Sequence, residues 1–508
     1  VNIQNAVEKR INEWMADPGS EHIGVVVMNP NNGEVLAMAN NSMFDLNNPS
    51  SAADSFSEEE LREMGLKEAM QTYNRQHKKT DGSTITIDQV PEHYSADEIR
   101  SYGLQVAWNQ KWRNYDISDT YEPGSPSKIF TVAAALEEGV ISPNDTFYCD
   151  GYQEVAGHQI KCTAFRKGGH GMLTVAEALM VSCNDALMQI AAKMGATTFT
   201  RYMNAFGFGQ KTGIDLPGEA DAKGLVRSAS EMNSADLATN SFGQNYNCSM
   251  IQMAAAYGSV INGGSYYEPH VVKEILNDEG SVVKSVSPNL VRETVSESTS
   301  NFINNALYQT VSGDGGTAGA AAVAGYEVAG KTGTAQKQPR AEKNYLVSFI
   351  GYAPAYNPQV LCYVVVDTPH LPGEQQAHST FASEIFSKIM AEVLPYRNVF
   401  PAGGAAQDLE TNLSSQEEGI ISGTATEDPN AAETPAETTP APEGGWANYD
   451  EEFIDSGDEY SYPDTMGNVQ DESAAVGNGE TAGTGRDTGT ADNAGETAAS
   501  QEAQAAGD

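Results

Sequence analysis

The chain has 508 residues, of which 69 are acidic and 29 basic, giving a formal net charge of −40. That balance, with no basic stripe in either the body or the tail, argues against nucleic-acid binding. The length allows two to three domains, but composition changes near Asn398: Pro401–Asp508 carries 24 acidic residues against Arg486 alone.

Ile3, Ala6, Val7, Ile11 and Trp14 recur at helical spacing and predict an amphipathic helix over 3–16. The pattern starts almost at Val1, which is not a methionine, so an upstream segment is expected, with room there for a signal or membrane anchor that this sequence does not show. No apolar run in this sequence is long enough to span a bilayer. Ile23–Met28, the turn Asn29-Pro-Asn-Asn-Gly33 and Glu34–Met38 read as a β-hairpin. Residues 50–112 read as a helical insertion, with capping boxes from Ser57 to Glu60 and from Ser95 to Glu98.

Helices are expected to dominate from Ser125 to about Gly264, with starts at Thr174 and Ser249 and stops at Gly139 and Gly195. Within that region Cys149 and Cys162 flank a segment whose Gly157 suits a hairpin turn, which brings the two sulfurs close. They either form a disulfide or remain buried thiols. Strands return at about Val328–Lys337, Tyr345–Tyr352 and Gln359–Asp367, and a helix over Phe381–Leu394 closes the fold. A hairpin at the start, strands at the end and helices between predict one antiparallel sheet built from both ends, with a helical lobe in the middle. The region 399–508 cannot bury enough apolar surface to offset chain entropy, so a disordered acidic tail is expected there.

Three polar triplets carry the chemistry. Ser125-Pro126-Ser127-Lys128 has SxxK spacing at a helix start, which places the Lys128 amine one turn from the Ser125 hydroxyl as its base. Ser182-Cys183-Asn184 falls between two helical runs, so Ser182 can relay a proton to a leaving amine and Asn184 can hold a substrate amide. Lys331-Thr332-Gly333, followed by Thr334, lies among small residues that let a peptide backbone approach an edge strand. Lys331 would bring positive charge beside the nucleophile, and Thr332 and Thr334 would offer hydroxyls to a carboxylate. The Ser125 and Thr334 N–H groups are the expected oxyanion hole. A second KTG, Lys211-Thr212-Gly213, sits in a turn-rich stretch without a strand pattern and is set aside. Each triplet alone is common; SxxK, SxN and KTG in this order point to an active-site serine acyltransferase.

With these motifs, Asn29–Met38, Arg113–Ser125, Phe206–Glu219 and Ser241-Phe-Gly-Gln244 make residues 1–397 resemble the class B penicillin-binding proteins. Tyr121-Glu-Pro-Gly124 and the Ser-Cys-Asn motif are most similar to the division and sporulation branch of Gram-positive, clostridia-like bacteria. The resemblance implies an α+β fold shared with serine β-lactamases, in which a five-stranded antiparallel sheet flanked by helices faces an all-helical lobe. It implies a transpeptidase domain over 1–398 that cross-links peptidoglycan stem peptides through a serine acyl-enzyme and is acylated by β-lactams. An extracytoplasmic, membrane-anchored setting and a membrane glycosyltransferase partner follow from the same resemblance.

The sequence departs from that pattern at Pro126-Ser127, where a bulky apolar residue is commoner behind the nucleophile. The resemblance implies no cofactor or metal, and the sequence offers no HxxxH pair among its eight histidines and only the sparse group His158, His170 and Cys162. The competing readings are a serine β-lactamase and a catalytically silent β-lactam sensor or scaffold. The first lacks its water-holding ExxLN segment, Glu274-Ile-Leu-Asn277 being out of register.

Overall fold

The computed structural model describes residues 1–401 except Lys79 and Asp81. The acidic tail expected from 399 onward therefore lies outside the described residues beyond Pro401. Five strands form one antiparallel sheet in the spatial order Ala329–Gln336, Tyr345–Ala353, Val360–Pro369, Ser20–Met28, Val35–Asn40. Two come from the beginning of the domain and three from its end, as the hydrophobic patterning predicts.

Side-chain alternation decides what each face meets. Val360, Cys362, Val364 and Val366, with Val25 and Val27, pack beneath the helices Asn2–Ala16 and Thr380–Tyr396. Leu361, Tyr363 and Val365, with Val26 and Met28, face the helical lobe. Strands covered on both faces must read as unbroken apolar runs, which is why Val360–Val366 has no polar position. Phe349 meets Phe386 of the C-terminal helix edge to face, centroids 4.7 Å apart, and fixes that layer.

The lobe is built around Lys128–Glu137, Asn184–Met194, Met250–Ile261 and Glu297–Ser312. Met250–Ile261 is buried along its whole length, and the expected capping box at its start, Ser249 with Gln252, is present. Four short strands lie inside this region: the hairpin expected around Gly157 is present, while the pair that brackets it was not expected. Thr146–Cys149 pairs with Gly171–Thr174, and Tyr152–Val155 pairs with His158–Lys161. The second pair turns through Ala156 and Gly157, both at positive φ (52° and 80°), the geometry of a two-residue hairpin loop.

The 50–112 region forms two main helices, Glu58–Lys78 and Ala96–Trp112, packed antiparallel, with both expected capping boxes formed. They touch through glycine. A Cβ on Gly65 would lie 1.9 Å from Ile99 O, and one on Gly103 would lie 1.9 Å from Leu61 O. Among the described residues no helix is long and apolar enough to cross a membrane.

Candidate active site

Gly124, at φ 63°, turns the chain into a short 3-10 turn, Ser125–Ser127, which runs directly into the helix Lys128–Glu137. Ser125 is thus presented at the mouth of the lobe while Lys128, one turn on, is 0% exposed. Lys128 Nζ lies 2.8 Å from Ser125 Oγ, 2.9 Å from Ser182 Oγ and 3.0 Å from Ser182 O. Ser182 Oγ is in turn 3.0 Å from Ser125 Oγ, closing a triangle of one amine and two hydroxyls. Burial lowers the Lys128 pKa to about 8, so about a tenth of the amine is neutral at pH 7, against well under a thousandth for an ordinary lysine, and that fraction can accept a proton.

Ser182 and Cys183 form the turn between the helices Val175–Met180 and Asn184–Met194. Ser182 holds a left-handed φ of 57°, unusual for a residue with a Cβ, and this aims its hydroxyl at the triangle. Asn184 is the first residue of its helix rather than part of the turn. It is half-buried, and its side chain makes no hydrogen bond among the described residues.

Lys331, Thr332, Gly333 and Thr334 lie on Ala329–Gln336, an edge strand of the sheet. Lys331 is 0% exposed, and its Nζ reaches Thr332 O and Oγ1 only at 3.4 and 3.5 Å. Burial, reinforced by repulsion from Lys128, holds its pKa well below the usual lysine range. That repulsion places the two amines in one electrostatic neighbourhood. The positive charge expected of Lys331 is thus opposed by its surroundings.

The strand reaches the serine through Gly333, where a Cβ would come within 2.8 Å of the Pro126 ring. Behind the turn, Gly124 N–H donates to Gly243 O at 2.9 Å, and Thr131 Oγ1 donates to Ser241 O at 2.8 Å. Ser127, the departure from the commoner pattern, is buried and accepts a hydrogen bond of 2.6 Å from Tyr246 Oη. A polar pair thus occupies the space behind the nucleophile. Tyr246 was not singled out from sequence; its only signal is its place just after Ser241-Phe-Gly-Gln244.

The second KTG is a local structure. The Thr212 hydroxyl and N–H and the Gly213 N–H all donate to the Glu219 carboxylate, and Lys211 is exposed. Glu274–Leu276 is an exposed strand of a surface hairpin with Val282–Ser285, which explains why Glu274-Ile-Leu-Asn277 is out of register. Cys149 and Cys162 do flank the hairpin base as expected, with Cys162 N–H donating to Gly151 O at 2.7 Å, yet no disulfide joins them. His158 lies on the exposed hairpin, whereas His170 points between the two sulfurs, 3.5 Å from Cys149 Sγ and 3.7 Å from Cys162 Sγ.

Known proteins resemble the chain across this same region. It is 34% identical over 404 residues to Stage V sporulation protein D of Bacillus subtilis, covering 78% of this chain and 53% of that protein. It is 27% identical to the penicillin-binding protein PbpB of Mycolicibacterium smegmatis, covering 78% and 54%. The chain spans about half the length of the curated relatives it matches. Among solved structures, the transpeptidase domain of Burkholderia pseudomallei penicillin-binding protein 3 superposes with a TM-score of 0.57 at 24% identity, covering 79% of this chain and 96% of that one. Penicillin-binding protein 3 of Mycobacterium tuberculosis, complexed with aztreonam, gives 0.59 at 24% identity, covering 79% and 78%. The family model for the penicillin binding protein transpeptidase domain matches residues 23–391, so the chain belongs to that family.

Proposed function

We propose that this chain is the catalytic part of a peptidoglycan D,D-transpeptidase. The observation that carries the reading is the triangle of Lys128 Nζ, Ser125 Oγ and Ser182 Oγ, closed at 2.8–3.0 Å around a buried amine. In the forward step Lys128 takes the Ser125 proton as Oγ attacks the D-Ala-D-Ala carbonyl, and the Ser125 and Thr334 N–H groups receive the oxyanion. Ser182 passes that proton to the leaving amine, so D-Ala departs neutral at nitrogen and the stem peptide remains as an ester on Ser125. The amine of a neighbouring stem then attacks the ester, and its proton returns through Ser182 and Lys128 to Ser125. Asn184 holds a substrate amide. Lys331, with Thr332 and Thr334, receives the terminal carboxylate; the charge that burial denies Lys331 is restored when that anion arrives.

β-Lactams present an amide and a carboxylate in the same relation and would acylate Ser125. A relative of the same fold has been solved with aztreonam. Service in sporulation fits the name of one relative; a membrane-anchored, extracytoplasmic position, a membrane glycosyltransferase partner and a division role belong to this same reading. The test is mass spectrometry of a fluorescent-penicillin adduct. The label is expected on Ser125 and absent from Ser125→Ala; an adduct on another residue would overturn the assignment.

A further inference from the structure

Four side chains that the acyl-transfer reading leaves unused converge beneath the Ser182 turn. Cys149 ends the strand Thr146–Cys149, Cys162 follows the hairpin His158–Lys161, His170 precedes the strand Gly171–Thr174, and Cys183 caps the helix Asn184–Met194. Their sulfur and nitrogen atoms all lie within 4.8 Å of one another, with the three cysteines buried and His170 half-buried. Cys162 Sγ is 3.8 Å from Cys183 Sγ, and His170 Nδ1 is 3.5 Å from Cys149 Sγ and 3.7 Å from Cys162 Sγ.

Those separations distinguish two chemistries. A disulfide needs its sulfurs about 2.05 Å apart. A tetrahedral zinc ion with bonds of about 2.3 Å to sulfur and about 2.0–2.1 Å to nitrogen separates two sulfurs by about 3.8 Å and a sulfur from a nitrogen by about 3.6 Å. The three distances above match the second set, and the remaining pairs lie within 4.8 Å. We propose that Cys149, Cys162, His170 and Cys183 form a closed Cys3His zinc site. Four soft or borderline ligands around one point suit zinc, and the cluster is too compact for ligands divided between two irons.

The surroundings support thiolate ligands. Ala186 N–H donates to Cys183 Sγ at 3.3 Å. Asp185 also receives Gly151 N–H and the side-chain amides of Gln153 and Gln189, which ties the hairpin to the helix after Cys183. Binding Zn2+ releases three thiol protons and involves no change of oxidation state. Because all four ligands come from the protein, the ion is structural. Its fourth bond, from Cys183, would hold the residue next to Ser182 and so maintain the left-handed turn that aims the Ser182 hydroxyl. The sequence concealed the site because positions 149, 162, 170 and 183 lack a paired ligand spacing.

The test uses the whole chain, purified reduced and without chelator. One zinc per chain should survive dialysis against a weak chelator, which strips ions held loosely by the acidic surface. Replacing zinc with Co2+ should give intense tetrahedral visible bands and a thiolate-to-cobalt charge-transfer band. Cys162→Ser should lose the stoichiometric metal, and His170→Gln, at a half-exposed position, should lower zinc affinity at least about 10-fold. Cys362→Ser, in the sheet, should retain one zinc. If the variants fail to fold, alkylation of the wild type decides: Cys149, Cys162 and Cys183 should be protected with zinc and labelled after a strong chelator. A metal-poor wild type with a six-coordinate cobalt spectrum, or a disulfide among these cysteines in protein never exposed to chelator, would overturn the proposal. Stoichiometry and spectrum are read whether or not the chain is a transpeptidase. Penicillin acylation that is unchanged after zinc removal would overturn the positioning role.

Discussion

Gly333 of the edge strand and Pro126 behind the serine are pressed together so closely that a single added methyl on Gly333 would reach 2.8 Å from the Pro126 ring and 2.3 Å from Ser348 Oγ. The ring cannot rotate away, so Gly333→Ala should push the strand off the serine turn. Overpacking of this kind costs about 1–3 kcal/mol. Penicillin acylation of the folded variant should fall at least about 10-fold, read by stopped-flow labelling. Wild-type rates would show that the strand approaches the serine less tightly than this contact requires.

Lys128 gives a pH profile with a definite sign. Only the neutral amine can take the Ser125 proton, so acylation should rise with pH and reach half its plateau near pH 8, where burial has placed the amine. Lys128→Ala should lower the plateau by at least about 100-fold. A profile that falls across this range would remove Lys128 from the role of base.

The acyl-enzyme should be long-lived. The hydrogen-bonding partners around Ser125 Oγ are an amine and a hydroxyl, Lys128 and Ser182, and neither is a carboxylate able to activate a water. Nitrocefin should therefore give one burst equivalent to the enzyme and a half-life far longer than seconds. Steady turnover would favour the β-lactamase reading.

Tyr246 and Ser127 test the polar substitution behind the nucleophile. Tyr246→Phe leaves the buried Ser127 hydroxyl without its 2.6 Å donor and should cost about 1–3 kcal/mol in urea unfolding. Adding Ser127→Ala should recover part of that loss, because both partners are then apolar. Strict additivity of the two changes would show no coupling.

The inserted helix pair is expected to be separable from the chemistry. Gly103→Ala drives a methyl into Leu61 O and should accelerate hydrogen exchange across Glu58–Lys78 and Ala96–Trp112, leaving the rate of Ser125 acylation unchanged. Matched losses in both would show that the insertion supports the cleft.

What could be read from sequence was what repeats locally. Alternation along Val360–Val366 and Ile23–Met28, and capping boxes at Ser57, Ser95, Thr174 and Ser249, are each set by residues within a turn or strand of one another. The position of the second KTG was legible for the same reason, since Thr212 is satisfied by Glu219 only seven residues away. The Tyr246–Ser127 pair spans 119 positions, and the cysteine–histidine cluster needs two hairpins and a helix cap to assemble. Nothing in either set of residues marks its partner until the chain is folded. The hairpin around Gly157 was legible from its turn, but the pair Thr146–Cys149 and Gly171–Thr174 was hidden because each strand is only four residues long and its partner lies beyond that hairpin.

Because Ser20–Met28 pairs on one side with Val360–Pro369, about 350 positions later in the chain, the sheet cannot be assembled gradually from the N-terminus. Until the late strands emerge, the early ones form only a two-stranded hairpin, which is marginal in water. The serine and its lysine sit on a lobe lacking the strand that carries Lys331. Catalytic competence should therefore switch on with chain length as a threshold: fragments ending before Tyr345 should not react with penicillin, and graded reactivity among them would contradict it. A nascent or clipped chain would then stay unreactive toward penicillin until the last strands join the sheet.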